Sequence, residues 1–358
     1  MIEPQAIAAQ NRLWSRIQAD ALQSLAVVGM TKNTGKTVTL NALLRHAAAT
    51  QVGVGVTSIG RDGEQHDEVF RIPKPAIRIW PGTWVATARA CLDRFDGKFE
   101  FAQTTGITSP MGDIVIVKVI ESALMEIAGA SRGVDQRKLI DQMRQCGASL
   151  VLLDGALGRS QHASPAIAQG VILATGAALG GSPADVIRKT RERLALLDIE
   201  PAPPEVRERC HDVFARGGVG GWNRRGELLF AAEVATLNAA NTLLAYAASE
   251  PTLVALAGAV AHKVWQAVLT LAARHTKLDV VVADGTRMFV DHAAVLDLQK
   301  LGGRLLAYNR IRVTGITVNP FSPFGAGFVA GEFLAATRRA LPGYEVSDVI
   351  LEEQGDIQ

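Results

Sequence analysis

Cysteine is scarce in this chain. Cys91, Cys146 and Cys210 lie far apart, and no CxxC pair or Cys/His cluster accompanies them. That argues against a disulfide framework and supplies no zinc motif. A reduced compartment, the cytoplasm, is the natural expectation. An excess of charge of one sign is also lacking: the formal net charge is +2. Nothing electrostatic favours nucleic acid or an anionic membrane as a partner. No apolar run approaches the roughly 20 residues needed to span a bilayer. The opening MIEPQAIAAQ has neither the basic nor the apolar region of a signal peptide. Short-period repeats and low-complexity tracts are missing as well.

What is there is apolar and alternating. Hydrophobic residues make up 48% and charged residues 20% of 358. That suits a globular protein with a large core and leaves room for two domains. Ile7, Trp14, Ile17, Ala21 and Leu25 recur at near-helical spacing and predict an amphipathic helix over 4–23. LAVVG (25–29), VGVGVTSIG (52–60), SLVLLDG (149–155) and GVILATG (170–176) are short apolar runs of the kind buried on both faces of a parallel sheet. Residues 113–131 are rich in β-branched residues and predict a hairpin. TVTLNALLRHAAA, DQRKLIDQMRQCG and SPADVIRKTRERLALL read as helices between the strands, so the fold class expected is α/β with a parallel sheet.

The alternation then breaks. EPAPPEVRE (200–208) is proline-rich, and RGGVGGWNRRGE (216–227) is rich in glycine and charge; both read as connection. A second alternation follows, through TLVALAG (252–258), LDVVVADG (278–285), RLLAYN (304–309) and VTGITVNP (313–320). The expected organisation is an N-terminal domain over 1–210, a linker over 211–227 and a smaller α/β domain over 228–358.

GMTKNTGKT (29–37) joins the first strand to a helix. A loop entering a helix there leaves free backbone N–H groups, which with the helix dipole attract an anion. Gly29 and Gly35 let the backbone wrap a phosphate, with Lys32, Asn33, Thr34 and Val38 completing the loop and the first turn. Lys36 would reach the β- and γ-phosphates, and the Thr37 hydroxyl would ligate Mg²⁺. This is the logic of a P-loop, with five residues rather than four between the glycines. Asp154 closes the run LVLLD, where an acid would hold Mg²⁺ directly or through water; a solvated strand-end aspartate is the alternative. Asp62, Glu64 and Asp67 follow the second strand, where a carboxylate could ligate Mg²⁺, Asp62 being the one taken for the metal, or orient a water; a charged surface turn is the alternative for each. Arg61, Arg159 and His162 are polar neighbours of the same region. TGITSPMG (105–112) is a substrate loop or an ordinary turn. Asp284, Thr286, Arg287 and Asn319 stand at strand ends of the second domain, as a second site or as caps and turn formers.

GMTKNTGKT resembles the G-x5-G-K-T loop of dethiobiotin synthetase and its relatives in the SIMIBI class of P-loop NTPases. VLLDGALG (151–158) and GVILATGAALGG (170–181) resemble the strand with an acidic end and the glycine turn of the same class. TKNTGKTVT also resembles the TGTNGKT loop of Mur ligases. TSIGRDGE (57–64), PKPAIRIWPGTWVATA (73–88), TGITSPMGDIVI (105–116), LLDGAL with ASP following (152–165) and ITVNPFSPFG (316–325) resemble the reactivase-associated subunit of lysine 5,6-aminomutase, over nearly the whole chain. This last resemblance implies a Mg²⁺-dependent ATPase that helps restore a cobalamin-dependent aminomutase. The dethiobiotin synthetase and Mur resemblances imply instead an ATP-dependent ligase acting on a small carboxylate. ATP as the nucleotide is likewise what the resemblance implies. Some SIMIBI proteins form homodimers in which a loop lysine crosses to the partner's phosphates. Lys32 lies four residues before Lys36 rather than five, and is followed by Asn33 and Thr34 rather than glycines, so the dimer stays open.

Overall fold

The computed structural model describes residues 12–58, 77–156, 167–274 and 277–355. The chain forms two compact units, residues 1–190 with 312–358, and residues 191–311. Among the described residues no helix is long and apolar enough to cross a membrane.

The first unit is built on a nine-stranded sheet. Its strands are β1 (Ser24–Gly29), β2 (Val54–Ser58), β3 (Trp84–Ala88), β4 (Phe99–Ser109), β5 (Gly112–Val119), β6 (Leu150–Ala156), β7 (Gly170–Gly176), β8 (Val313–Asn319) and β9 (Val346–Ser347), in the spatial order β9-β8-β7-β1-β6-β2-β3-β5-β4. The strands from β9 to β3 in that order run parallel, and β5 and β4 close the edge as an antiparallel hairpin. The sheet is therefore mixed, where a parallel one was expected. β1 and β7 are buried at every residue, as continuous apolar runs in a two-sided sheet must be.

Alternation sorts the two faces. Leu25, Val27, Val54, Val56, Leu150, Leu152 and Ile172 share one core with Leu40, Leu43 and Leu44 of the helix α2 (Lys36–Ala49). Leu13, Trp14 and Ile17 of α1 (Arg12–Ala19) join it. The predicted helix over 4–23 is thus seen in its second half, and its first residues lie outside the described ones. Leu13 packs so closely on β8 that a Cβ at Gly315 would stand 2.3 Å from its Cδ1. On the other face Met143 of α3 (Gly133–Gln145) rests against Gly55.

The division of the chain differs from the one expected. β8 pairs with β7 from Val313 to Asn319, so residues 312–358 belong with the N-terminal residues. The stretch 211–227 carries regular structure. Pro204 opens a helix, Pro204–Arg216, at its first position, where a missing N–H costs nothing. VGGW forms a buried strand, Val219–Trp222. Its glycines serve packing: a Cβ at Gly220 would lie 2.7 Å from Val213, and one at Gly221 would lie 2.2 Å from Phe230.

The second unit has a five-stranded sheet in the order Leu228–Ala232, Val219–Trp222, Leu253–Leu256, Asp279–Val282, Arg304–Ala307, with the last three parallel. Val254, Leu256, Val280 and Val282 enter one core with Trp265 and Leu271 of the helix His262–Arg274. Leu253, Ala255 and Val281 enter another with Cys210 and Val213. The period of two thus feeds a layer on each side.

Candidate functional site

β1 delivers the chain into the 29–37 loop in the middle of the first sheet. The pairing with β7 runs one residue further, because Met30 N–H donates to Ala174 O at 2.9 Å. The loop then tightens. Asn33 has φ 63 and Gly35 φ 90, both in the left-handed region that favours glycine and tolerates asparagine. Thr34 is buried, and its hydroxyl donates to Thr31 O at 2.9 Å. Gly29 admits no side chain: a Cβ there would stand 2.6 Å from Thr34 Oγ1 and 2.8 Å from Lys36 Cγ. Gly35 is the N-cap of α2 and has no side chain with which to cap it. The N-cap thus offers no side-chain acceptor to the first-turn amides, which face an outside acceptor's approach.

Lys36 and Thr37 occupy that first turn, and both are half-buried. Lys36 Nζ donates to Gly155 O at 2.9 Å, which draws the loop and the end of β6 together. Asp154 is the residue before. It follows Leu150 and Leu152 at the strand period, so it lies on the face that α2 covers. It is in register with Val27 on one side and Ser58 on the other, and only 6% exposed. It is therefore set inside the sheet rather than at a solvated end. Lys32 and Asn33 are exposed, and Val38 is half-buried. Asp62, with Arg61, Glu64 and Asp67, lies outside the described residues, as do Arg159 and His162.

Among the described residues no three His, Cys, Asp or Glu side chains cluster as a metal site. The donors that the fold places beside the loop, Thr37 and Asp154, are all oxygen. That set suits Mg²⁺, which keeps waters and takes the rest of its shell from phosphates rather than from a protein cage.

Two residues completing the site were not read as part of it. Asn319 was expected in the second domain. As the last residue of β8 it belongs to the first unit, where its Nδ2 donates to Asn33 O at 3.1 Å. Its Oδ1 accepts from Phe321 N–H at 3.1 Å. Asp348 follows β9 and is 2% exposed. It shares a small cavity with Thr34, Gly35, Val38 and Asn319. Burial pushes its carboxyl above the usual range, against the hydrogen bonds it accepts from Leu351 and Ile350 N–H. The sequence signal was thin: a lone aspartate after two strand residues.

The remaining strand-end residues stay in the second unit. Asp284 is buried and accepts from Thr286 N–H at 2.9 Å, capping the turn Gly285–Arg287, and the Thr286 hydroxyl donates to the same oxygen. Burial lowers the pKa of Arg193, and the charge of Asp284 works against that. This is the cap anticipated as the alternative to a second site. TGITSPMG is the end of β4 and the turn into β5, closed by Ser109 Oγ donating to Gly112 O at 3.0 Å.

Compared with protein-family models, with curated proteins and with solved structures, the chain matches none. The class that its own architecture defines is α/β, with a large mixed sheet and a loop-to-helix turn at the sheet's centre.

Proposed function

We propose that the 29–37 loop is a P-loop that binds the phosphates of ATP with Mg²⁺, and that the chain hydrolyses this nucleotide. The observation that carries the reading is the joint placement of α2 behind a glycine N-cap and of Lys36, bonded to Gly155 beside the buried Asp154. The loop amides would cradle the phosphates, and the Lys36 ammonium would offset charge on the transferring group. Thr37 and Asp154 would hold the metal, whose chemistry is to neutralise charge on the β- and γ-phosphate oxygens.

The use made of hydrolysis comes from the sequence resemblance. The chain would serve as a Mg²⁺-dependent ATPase that assists or reactivates a cobalamin-dependent aminomutase. The resemblance to dethiobiotin synthetase and Mur ligases is the rival source; the stretch offered as its substrate loop is the end of a strand and a hairpin turn.

The test is Lys36→Ala. A charge-assisted hydrogen bond contributes about 1.5–3 kcal/mol, so ATP affinity by calorimetry should fall at least about tenfold; the lost bond to Gly155 O lowers the unfolding midpoint, and a retained cooperative transition shows that the variant is folded. Unchanged affinity and turnover would sink the phosphate reading. ATPase measured with and without the aminomutase separates coupled hydrolysis from ligation, which a small carboxylate would stimulate instead.

A further inference from the structure

β2 ends beside Asp154. Its last residue, Ser58, is in register with that aspartate and only 5% exposed. Val54 and Val56 enter the core beneath α2, so the strand period turns Ser58 to the same face, the one on which Asp154 lies. Neighbouring strands run about 4.8 Å apart, which sets the hydroxyl and the carboxylate side by side. Among the described residues the Ser58 hydroxyl has no hydrogen-bond partner; only the carbonyl of this residue is bonded. A polar group so well covered is costly unless a partner reaches it.

The backbone that carries this hydroxyl is clamped. Pairing of β2 with β3 stops at Thr57 and Ala86, where the Thr57 hydroxyl donates to Ala86 O at 2.9 Å. Ser58 O turns instead to Gln136 of α3, whose Nε2 donates to it at 2.8 Å and to Ala130 O at 2.7 Å. Gln136 is fully buried. It stands about two helical turns before Met143, which rests on Gly55, so one face of α3 follows β2 to its end. Gly129 closes in from the side: a Cβ there would lie 1.9 Å from Ser58 O. A strand end fixed in this way presents its hydroxyl in one place, as a binding group requires.

We infer that Ser58 belongs to the metal site, its hydroxyl supplying a third oxygen beside Thr37 and Asp154, and that Gln136 is a positioning residue acting through the Ser58 carbonyl. The inference rests on the phosphate and Mg²⁺ reading above. Mg²⁺ takes few protein ligands and keeps several waters. A serine oxygen can meet the ion itself or accept from one of those waters. It also brings no second negative charge against Asp154, which a carboxylate in its place would do.

The test measures Mn²⁺, a paramagnetic stand-in for Mg²⁺, by electron paramagnetic resonance on the chain with adenylyl imidodiphosphate, a non-hydrolysable ATP analogue. Affinity for the same analogue in EDTA is measured by calorimetry, and a cooperative urea transition shows that each variant is folded. Ser58→Ala should weaken Mn²⁺ binding about tenfold, the margin of one hydrogen bond to a charged group, and leave the affinity in EDTA as it was. Ser58→Thr keeps a hydroxyl and should recover most of the loss. Gln136→Met should weaken Mn²⁺ binding in the wild-type background and add little in the Ser58→Ala background, because the two act as one unit. An equal loss in both backgrounds removes Gln136 from the site's support. Mn²⁺ affinity unchanged by Ser58→Ala overturns the inference. So does an equal loss of analogue affinity in EDTA, which assigns the hydroxyl to the phosphates or to the fold. In either case Lys36-dependent binding of the analogue leaves the phosphate reading standing. A wild-type chain that binds neither the analogue nor Mn²⁺ removes that reading, and this one with it.

Discussion

Asn319 and Asn33 are hydrogen-bonded across 286 residues of chain, with the side-chain amide of the first donating to the main-chain carbonyl of the second at 3.1 Å. Asn33 sits at φ 63, in the tightest part of the loop. The C-terminal strand thus fixes the conformation of a loop made near the N-terminus. The same asparagine crowds Gly35, where a Cβ would lie 3.1 Å from Asn319 Cβ.

Asn319→Ala removes this bond and the one from Phe321. Two lost hydrogen bonds at about 0.5–1.5 kcal/mol each predict a loss of about 1–3 kcal/mol, read from urea unfolding. Asn319→Asp should do no better, since it keeps the acceptor for Phe321 and turns a carboxylate oxygen on the Asn33 carbonyl. A stability for either variant equal to the wild type would mean that the loop holds its shape unaided.

Residues 191–311 behave as an insertion between β7 and β8. Where the chain enters and leaves this unit, its segments are bonded together: Ala307 N–H donates to Glu200 O and Ala202 N–H to Ala307 O, each at 2.8 Å, and Arg310 pairs with Asp198 at 3.4 Å. The unit has a core on each face of its sheet. A fragment 182–311 retains the whole helix Pro183–Leu197 and its cap, in which Ser182 and Asp185 bond reciprocally. It should fold alone with a single cooperative urea transition. A chain ending at 210 should not, because it lacks β8 and β9 and bares the edge of β7, a strand buried throughout. A monomeric, cooperatively folding 1–210 fragment would contradict the division.

Much of this architecture was legible locally. LAVVG, VLLDG and GVILATG are strands because their apolar runs are short, continuous and closed by glycine. What stayed hidden was which strands share a sheet. VTGITVN reads like any other strand of the second alternation, and nothing within it says that its partner is GVILATG rather than RLLAYN. Parallel pairing is settled by distant packing, such as Leu13 seated on Gly315. Glycine misled at 220–221 for a related reason: it was read as connection, and it is close approach. At the candidate site, the spacing of GMTKNTGKT and the position of Asp154 in its strand were visible. Asn319 and Asp348 were not, because both reach the loop only through the strand order.

Asp348 and Glu352 carry the pH dependence of the C-terminal segment. Burial raises Asp348 from 3.8 and Glu352 from 4.5. For Glu352 the charges of Glu345 and Asp348 add to that rise, while Arg338, 3.0 Å away, opposes it. The sign follows from proton counting. Both carboxyls hold their protons in the folded chain at pH values where the unfolded chain has released them. Their contribution to stability is therefore full below the unfolded values and is lost as pH rises through the higher folded ones. Wild-type protein should lose part of its urea midpoint as pH climbs from 3.8 upward, over and above the trend set by its other carboxyls. Asp348→Asn keeps an oxygen for the Ile350 and Leu351 amides and has no proton to lose in this range. Its midpoint should fall less steeply over the same interval and approach or exceed the wild type at the neutral end. Parallel midpoint curves for the two proteins would show that Asp348 ionises in the folded chain as freely as in the unfolded one, and the argument from its burial would have to be given up.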